Sequence, residues 1–288
     1  MSRPDRLTDR LLSVGYHARR EEALAVEGAL RALGAGRVAA LLCEGPAGCG
    51  KTCLAEALAE LLGGGYIYHL LHSWSDDQEL LVGVDVAAAV AGDAEHVRQP
   101  GVLARAAELS QTATREAPAV LCLDEIDKVQ EGTANLLLDF LQTGRVPVRP
   151  GEHLATDLSS LLVIITSNAT RPLPDALLRR VRRVRMRALP VKIQDQIVLE
   201  RTGSAPGVVR LACRAARRVA QGEGTQLSLQ ELVAFVEELE CSESVRDVRL
   251  SLAGWAARTD RGAEAAGRCD LCAAVRSEIR QARRADGE

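Results

Sequence analysis

The sequence predicts an α/β fold in three layers, a parallel sheet covered by helices on both faces, followed by an all-helical domain. Three observations point to it. Apolar runs of strand length at residues 38–43, 119–123 and 161–165 alternate with helical patterns, and runs that are apolar throughout belong to strands buried on both faces, as in parallel sheets. A glycine-rich stretch, Gly45 to Gly50, joins the first run to a helical pattern. After Pro190 the strand signals fade and a helical period takes over, so the expected domains are residues 1–190 and 191–288, in line with a soft prior of about 150 residues per domain.

In chain order, residues 17–33 carry Leu24, Leu30 and Leu33 among charges, a modest helical pattern. Val14-Gly15-Tyr16 before it reads as a linker. Gly34-Ala35-Gly36 ends that helix, and residues 38–43 feed the glycine-rich loop. Leu54, Leu58, Leu61 and Leu62 give the next helix its core stripe before Gly63-Gly64-Gly65 stops it. Residues 66–71 read as a second strand. Leu80 to Val84 and Gln99-Pro100-Gly101 suggest an inserted hairpin before a helix at 102–110. A strand at 119–123, a helix at 135–141, a small hairpin at 146–154 turning at Arg149-Pro150-Gly151, and a strand at 161–165 follow. In the second domain Leu211, Ala215, Ala216 and Val219 share one face, and Leu232, Phe235, Val236 and Leu239 another. Residues 248–255 and 271–279 read as two more helices. Gly222-Glu223-Gly224 looks loose.

Composition narrows the function. Thirty-six Lys plus Arg against thirty-nine Asp plus Glu leave a formal net charge of −3, and aromatics make up 2%. Neither a strong non-specific pull toward nucleic acid nor base-stacking platforms are expected, though a local basic patch is compatible with these totals. No apolar run reaches eighteen residues, and Ser2-Arg3-Pro4-Asp5-Arg6 lacks a signal-peptide core, so no membrane association and a cytoplasmic location are expected. The eight cysteines are scattered and imply no disulfide framework. Cys269 and Cys272 form a lone C-x-x-C without the further ligands a structural zinc site wants, and read as a coincidence of helical spacing.

The chemistry concentrates at Gly45-Pro46-Ala47-Gly48-Cys49-Gly50-Lys51-Thr52, a G-x-x-x-x-G-K-[ST] phosphate-binding loop with Cys53 behind it. Its strand and helix flanks are those the motif requires; without them it would be an ordinary glycine-rich turn. The glycines let successive N–H groups face inward, and the following helix adds the positive end of its dipole. Lys51 suits the β- and γ-phosphates of ATP, and the Thr52 hydroxyl suits Mg²⁺. The chain holds only three lysines, Lys51, Lys128 and Lys192. One of them stands where a planar guanidinium would not replace a point charge. Leu121-Cys122-Leu123-Asp124-Glu125 is a Walker B pattern, with Asp124 placed to hold Mg²⁺ through water and Glu125 to polarise the attacking water. Asn168, after Thr166-Ser167, can position that water or serve as a turn residue.

The order of these parts, with Pro174-Asp175-Ala176-Leu177-Leu178-Arg179-Arg180 and Gly207-Val208-Val209-Arg210 after them, resembles the AAA+ ATPases over nearly the whole chain. Leu81-Val82-Gly83 with Gln99-Pro100-Gly101-Val102-Leu103, and the hairpin before Leu161, resemble the helix-2 insert and pre-sensor-1 hairpin of MoxR-like and dynein-related members, although Asp127 stands where MoxR-like proteins usually carry Asn. The resemblance implies a P-loop NTPase with a helical lid, working as a homo-oligomeric, expectedly hexameric, ring that couples ATP hydrolysis to remodelling or assembly of a client or adaptor protein, chaperone fashion. It implies an arginine finger at Arg180 or Arg179 and a sensor-2 arginine at Arg210. Arg182, Arg183, Arg185 and Arg187 at an Arg-rich strand end read as a solvated edge or a phosphate-backbone contact. Arg210 shares its face with Arg214, Arg217 and Arg218, which leaves a plain basic face as the other reading. A nucleic-acid motor or clamp-loader-like ATPase is the alternative function; a binding switch with little turnover fits less well, because Asp124, Glu125, Asn168 and Arg180 are intact.

Overall fold

A computed structural model describes residues 3–84, 90, 98–149 and 151–285. They form two compact units, Met1–Pro46 with Gly50–Arg187, and Ala188–Glu288 with which Ala47–Cys49 group.

The first unit opens with two helices, α1 (Arg3–Ser13) and α2 (Arg20–Arg31). Strand β1 (Ala39–Glu44) then leads through the glycine-rich loop into α3 (Lys51–Leu62), and β2 (Tyr66–Leu70) follows. A short helix α4 (Asp77–Leu80) precedes an antiparallel pair, β3 (Val82–Val84) and β4 (Arg98–Pro100), in which Val82 faces Pro100. Then come α5 (Val102–Thr112), β5 (Ala119–Asp124), a 3-10 turn at Ile126–Lys128 and α6 (Glu131–Thr143). The second hairpin is β6 (Arg145–Arg149) with β7 (Glu152–Ala155); the expected turn residue Pro150 lies outside the described residues. Strand β8 (Leu161–Ser167), the short α7 (Asp175–Leu178) and β9 (Arg182–Arg185) complete the unit.

Five strands make one parallel sheet in the order β2-β5-β8-β1-β9. The apolar runs are central because they are buried on both sides. Ala40, Leu42, Leu121, Leu123, Val163 and Ile165 share a cluster with Leu103 of α5 and Phe140 of α6. Their neighbours Leu41, Cys43, Val120, Cys122, Leu162 and Ile164, which point to the opposite face, are equally buried. Each such leucine contributes about 1.5–3 kcal/mol by leaving water, so the sheet's end, where the polar residues stand, is a rigid platform. The Arg-rich stretch is a fifth, edge strand: Val184 and Met186 are buried, Arg182, Arg185 and Arg187 are exposed, and Arg183 meets Glu44 at 2.9 Å. Charged side chains on an edge also discourage pairing with another strand.

Two local expectations differ from the structure. Leu24 is 53% exposed, and α2 instead buries Ala23, Ala25, Val26 and Ala29. Those small side chains let α2 lie close against β1 and β9. Helix α1 was not anticipated; Leu7 and Leu11, four residues apart, are its buried stripe.

The second unit is helical: α8 (Val191–Thr202), α9 (Pro206–Gly222), α10 (Leu229–Glu238), α11 (Val245–Ala256), α12 (Asp260–Gly267) and α13 (Leu271–Ala285). Phe235, Leu232, Val236, Ala212, Ala216, Leu252 and Val275 form its core. Cys269 and Cys272 are buried in it, and burial, with Cys269 alongside, pushes the Cys272 thiol up to about 12. Helix starts are closed by side chains: Ser228 with Glu231 and Ser244 with Asp247 form reciprocal capping boxes. The stretch expected to be loose is tied down, because the Glu223 carboxylate accepts from the N–H groups of Arg258 and Thr259 at 2.8 and 2.9 Å and from the Thr259 hydroxyl.

Candidate nucleotide site

The ends of β1, β5 and β8 lie side by side in the sheet, so the residues that follow them meet although they are far apart in sequence. After β1, Gly48 and Gly50 take φ of 72° and 90°, a region an L side chain rarely enters. Gly50 precedes the first turn of α3, whose free N–H groups an anion can occupy. A β-carbon at Gly50 would stand 3.6 Å from the Tyr16 ring, so Tyr16 borders the loop.

Lys51 is only 6% exposed. Its ammonium donates to the carbonyls of Gly45 and Pro46 at 2.9 and 2.8 Å and to Asn168 Oδ1 at 2.8 Å, which offsets the cost of burying a charge. Thr52, the next residue, places its hydroxyl 3.2 Å from Asp124 Oδ2. Two hydroxyls that the motifs do not single out also reach Asp124: Tyr68 from β2 donates to Oδ2 at 3.1 Å, and Thr166 from β8 donates to Oδ1. Burial and the adjacent Asp124 push the Tyr68 phenol up to about 12.

Glu125 has φ 62° and ψ 48°, a left-handed conformation unusual for a residue with a side chain. Its Oε1 accepts from Asn168 Nδ2 at 2.8 Å. One amide thus spans Lys51 and Glu125, using its oxygen for one and its nitrogen for the other. The loop bearing Asn168 is itself held by Asp127, 3% exposed, which accepts from the N–H groups of Asn168 and Thr170 at 3.1 and 3.2 Å and from the Thr170 hydroxyl. Burial pushes the Asp127 carboxyl upward, but the bonds from Thr170 and Asn168 outweigh it and hold it below its ordinary 3.8.

Gly45, Lys51, Thr52, Asp124, Glu125 and Asn168 are therefore brought together. Cys49 is buried and Cys53 half-buried behind the loop, while Pro46, Ala47 and Gly48 are exposed along it. Arg179 and Arg180 stand just after α7. Arg179 is exposed, and Arg180 donates to the Ala176 carbonyl at 2.8 Å. Arg210 is an exposed residue of α9 in the other unit. Arg217 and Arg218, which share its helix, pair with Asp195 at 2.7 Å and Asp270 at 3.1 Å. Tyr68, Thr166 and the bracing role of Asp127 were missed by sequence reasoning. Only the position of Thr166, two before Asn168, offered a local signal.

A five-stranded parallel sheet with flanking helices, in which β1 carries a phosphate-binding loop and β5, across the central β8, ends in Asp-Glu, is the fold of the P-loop NTPases. Residues 40–181 match the AAA domain of the dynein-related subfamily. The chain is similar to the chaperone protein ClpB 2 of Parasynechococcus marenigrum (strain WH8102), 32% identical over 163 residues, which are 53% of this chain and 17% of that protein. It is similar also to ClpB of Streptomyces albus G, 28% identical over 131 residues, 43% of this chain and 13% of that protein. The chain thus spans less than a fifth of the length of these relatives. Among solved structures, a mutant of Thermotoga maritima RuvB aligns with 91% of this chain and 69% of its own at a TM-score of 0.47 and 15% identity. No helix among the described residues is long and apolar enough to cross a membrane.

Proposed function

We propose that this chain is an ATPase of the AAA+ type, most like the MoxR-like branch, that binds ATP with Mg²⁺ and couples hydrolysis to remodelling or assembly of a partner protein from within a cytoplasmic ring. The observation that carries this reading is the convergence of Lys51, Thr52, Asp124, Glu125 and Asn168 from three strand ends into one hydrogen-bonded cluster. The donor set suits the ligands. A hydroxyl and a carboxylate 3.2 Å apart are hard oxygen donors of the kind Mg²⁺ takes, and the positive-φ glycines with a buried lysine suit a polyphosphate.

Lys51 would hold the β- and γ-phosphates, with the N–H groups from Ala47 to Thr52 around them. Thr52 and Asp124 would hold the metal, and Tyr16 would border the base. When bound, Mg²⁺ supplies neutralising charge on the phosphates and ATP supplies the group to be transferred. Glu125 would take the proton of the attacking water, and Asn168 would fix where that water and the Glu125 carboxylate stand. Arg180 or Arg179 would reach the site of a neighbouring copy, and Arg210 would act as the lid's sensor. Domains at 1–190 and 191–288 would then be the motor and its lid.

Mixing variants tests the ring. Arg180→Ala and Lys51→Ala proteins should each be inactive, with the loss at the finger about 10³-fold or more, yet their mixture should regain part of the ATPase activity, since an intact Lys51 site can face an intact Arg180 from its neighbour. A mixture that co-assembles and stays inactive, with Arg179→Ala giving the same result, removes both arginines as fingers. The exposed arginines of β9 favour one second reading, a nucleic-acid-associated motor. Stimulation of turnover by DNA or RNA, and not by a partner protein, would establish it.

A further inference from the structure

One side chain touches both residues of the acidic strand end. Thr166, fully buried at the end of β8, donates its hydroxyl hydrogen to Asp124 Oδ1 and accepts the Glu125 N–H on the same oxygen at 3.0 Å. A hydroxyl has one proton and two lone pairs, so both bonds can be made at once, and the backbone N–H leaves their direction no choice.

The second bond matters because of where Glu125 stands. Neighbouring residues on a strand point to opposite faces, so a straight continuation of β5 would send Asp124 and Glu125 apart. The left-handed backbone at Glu125 breaks that alternation, and a non-glycine residue stays in such a conformation only where its surroundings over-determine it. The Thr166 hydroxyl is the group that holds the Glu125 N–H. Beyond the turn, Glu125 Oε1 meets Asn168 Nδ2 and Asp124 meets Thr52, so both carboxylates end beside the phosphate-binding loop.

We propose that Thr166 is a positioning residue that sets Asp124 and Glu125 together, fixing the direction of one carboxylate and the backbone turn that aims the other. The proposal rests on the reading of this cluster as a hydrolytic site. Asp127 braces the Asn168 loop through separate bonds, so the loss of the Thr166 hydroxyl acts on the strand end of β5 and leaves that loop in place.

Thr166→Val keeps the shape and removes the hydroxyl; Thr166→Ser keeps the hydroxyl. Crystal structures of both variants, with steady-state kinetics and binding of a fluorescent ATP analogue without Mg²⁺, test the proposal. In Thr166→Val, Glu125 should leave the left-handed region and its contact with Asn168 should open. Its kcat should fall on the order of 10²-fold, as for an ångström of misplacement at a reacting centre, while metal-free affinity stays at the wild-type level. Thr166→Ser should restore both geometry and kcat. A role in stability alone would lower the melting temperature of Thr166→Val and leave kcat of the folded protein unchanged, which would overturn the proposal; so would an unmoved Glu125, or a Thr166→Ser protein as slow as Thr166→Val. If Thr166→Val does not fold, Thr166→Ala, which sets no methyl against Asp124, is read by the same criteria. Absence of phosphate release from the wild type would overturn the ATPase reading instead, and the variant structures would still decide whether Thr166 holds the two carboxylates.

Discussion

Both compact units pair hydroxyl residues with acidic ones, but over different distances along the chain and to different ends. In the helical unit Ser228 with Glu231, and Ser244 with Asp247, are three residues apart and close helix N-termini, each side chain accepting from its partner's backbone N–H. In the α/β unit Thr52, Tyr68 and Thr166 reach Asp124 from 72, 56 and 42 residues away. The short pairs shape their own turn of backbone and can be removed one at a time. The long ones exist only once the sheet has assembled, and they share partners, so a change in one is felt by the others. Among these pairs the local ones build scaffold and the non-local ones build the candidate machinery, although the helical unit also has a non-local scaffold pair, Thr259 with Glu223.

The largest effect that would sharpen this contrast is at Lys51. Lys51→Ala removes the charge that the loop and Asn168 surround, and saturable binding of a fluorescent ATP analogue should vanish while the circular dichroism spectrum keeps its shape. An affinity equal to wild type would remove Lys51 from the site.

Asp127 comes next. Asp127→Asn replaces an acceptor of three hydrogen bonds by an amide whose NH₂ faces donors, and should cost about 1–3 kcal/mol of stability. Because the Asp127 carboxyl is held below its ordinary 3.8, its contribution is complete above that value and is lost as the pH falls through the lower folded value. Denaturant unfolding between pH 2 and 7 should therefore show a gentler acid loss in Asp127→Asn than in wild type. Parallel curves would show that Asp127 braces nothing.

The smallest effect belongs to the helical unit. Ser244→Ala removes one N-cap and should cost about 1 kcal/mol, seen as a small drop in melting temperature with nucleotide affinity unchanged. A change in affinity would mean that this cap is coupled to the nucleotide site and that the contrast drawn above is too sharp.

The same contrast explains what could be read from the sequence. Residues 38–43, 119–123 and 161–165 were legible as strands because burial on both faces leaves an unbroken apolar run, and the loop from Gly45 to Thr52 because its spacing is contiguous. The way Asp124 is held was not legible: its hydroxyl partners lie on β2, α3 and β8, nothing near Tyr68 in sequence marks it, and Thr166 is marked only by standing two residues before Asn168. Hydrophobicity misled at α2, where Leu24 faces solvent and alanines face the sheet, because close packing against strands selects for small volume. Glycine content misled at Glu223, whose two glycine neighbours suggested slack while its carboxylate holds Arg258 and Thr259, the residues just before a helix. Arg217, grouped by its spacing with a basic face, is an ion-pair partner of Asp195 on the preceding helix.

In the proposed mechanism one cluster binds nucleotide through Lys51 and turns it over through Glu125. Glu125→Gln separates the two, since the amide keeps the shape and an oxygen for Asn168 but cannot take a proton from water. Phosphate release and fluorescent-nucleotide affinity, measured on the same preparations of wild type and Glu125→Gln, give the decisive comparison. Wild type should release phosphate steadily, Glu125→Gln should release it at the level of buffer, and the two affinities should be equal. Equal release from both proteins would contradict this mechanism, because the hydrolytic group would then lie elsewhere in the chain.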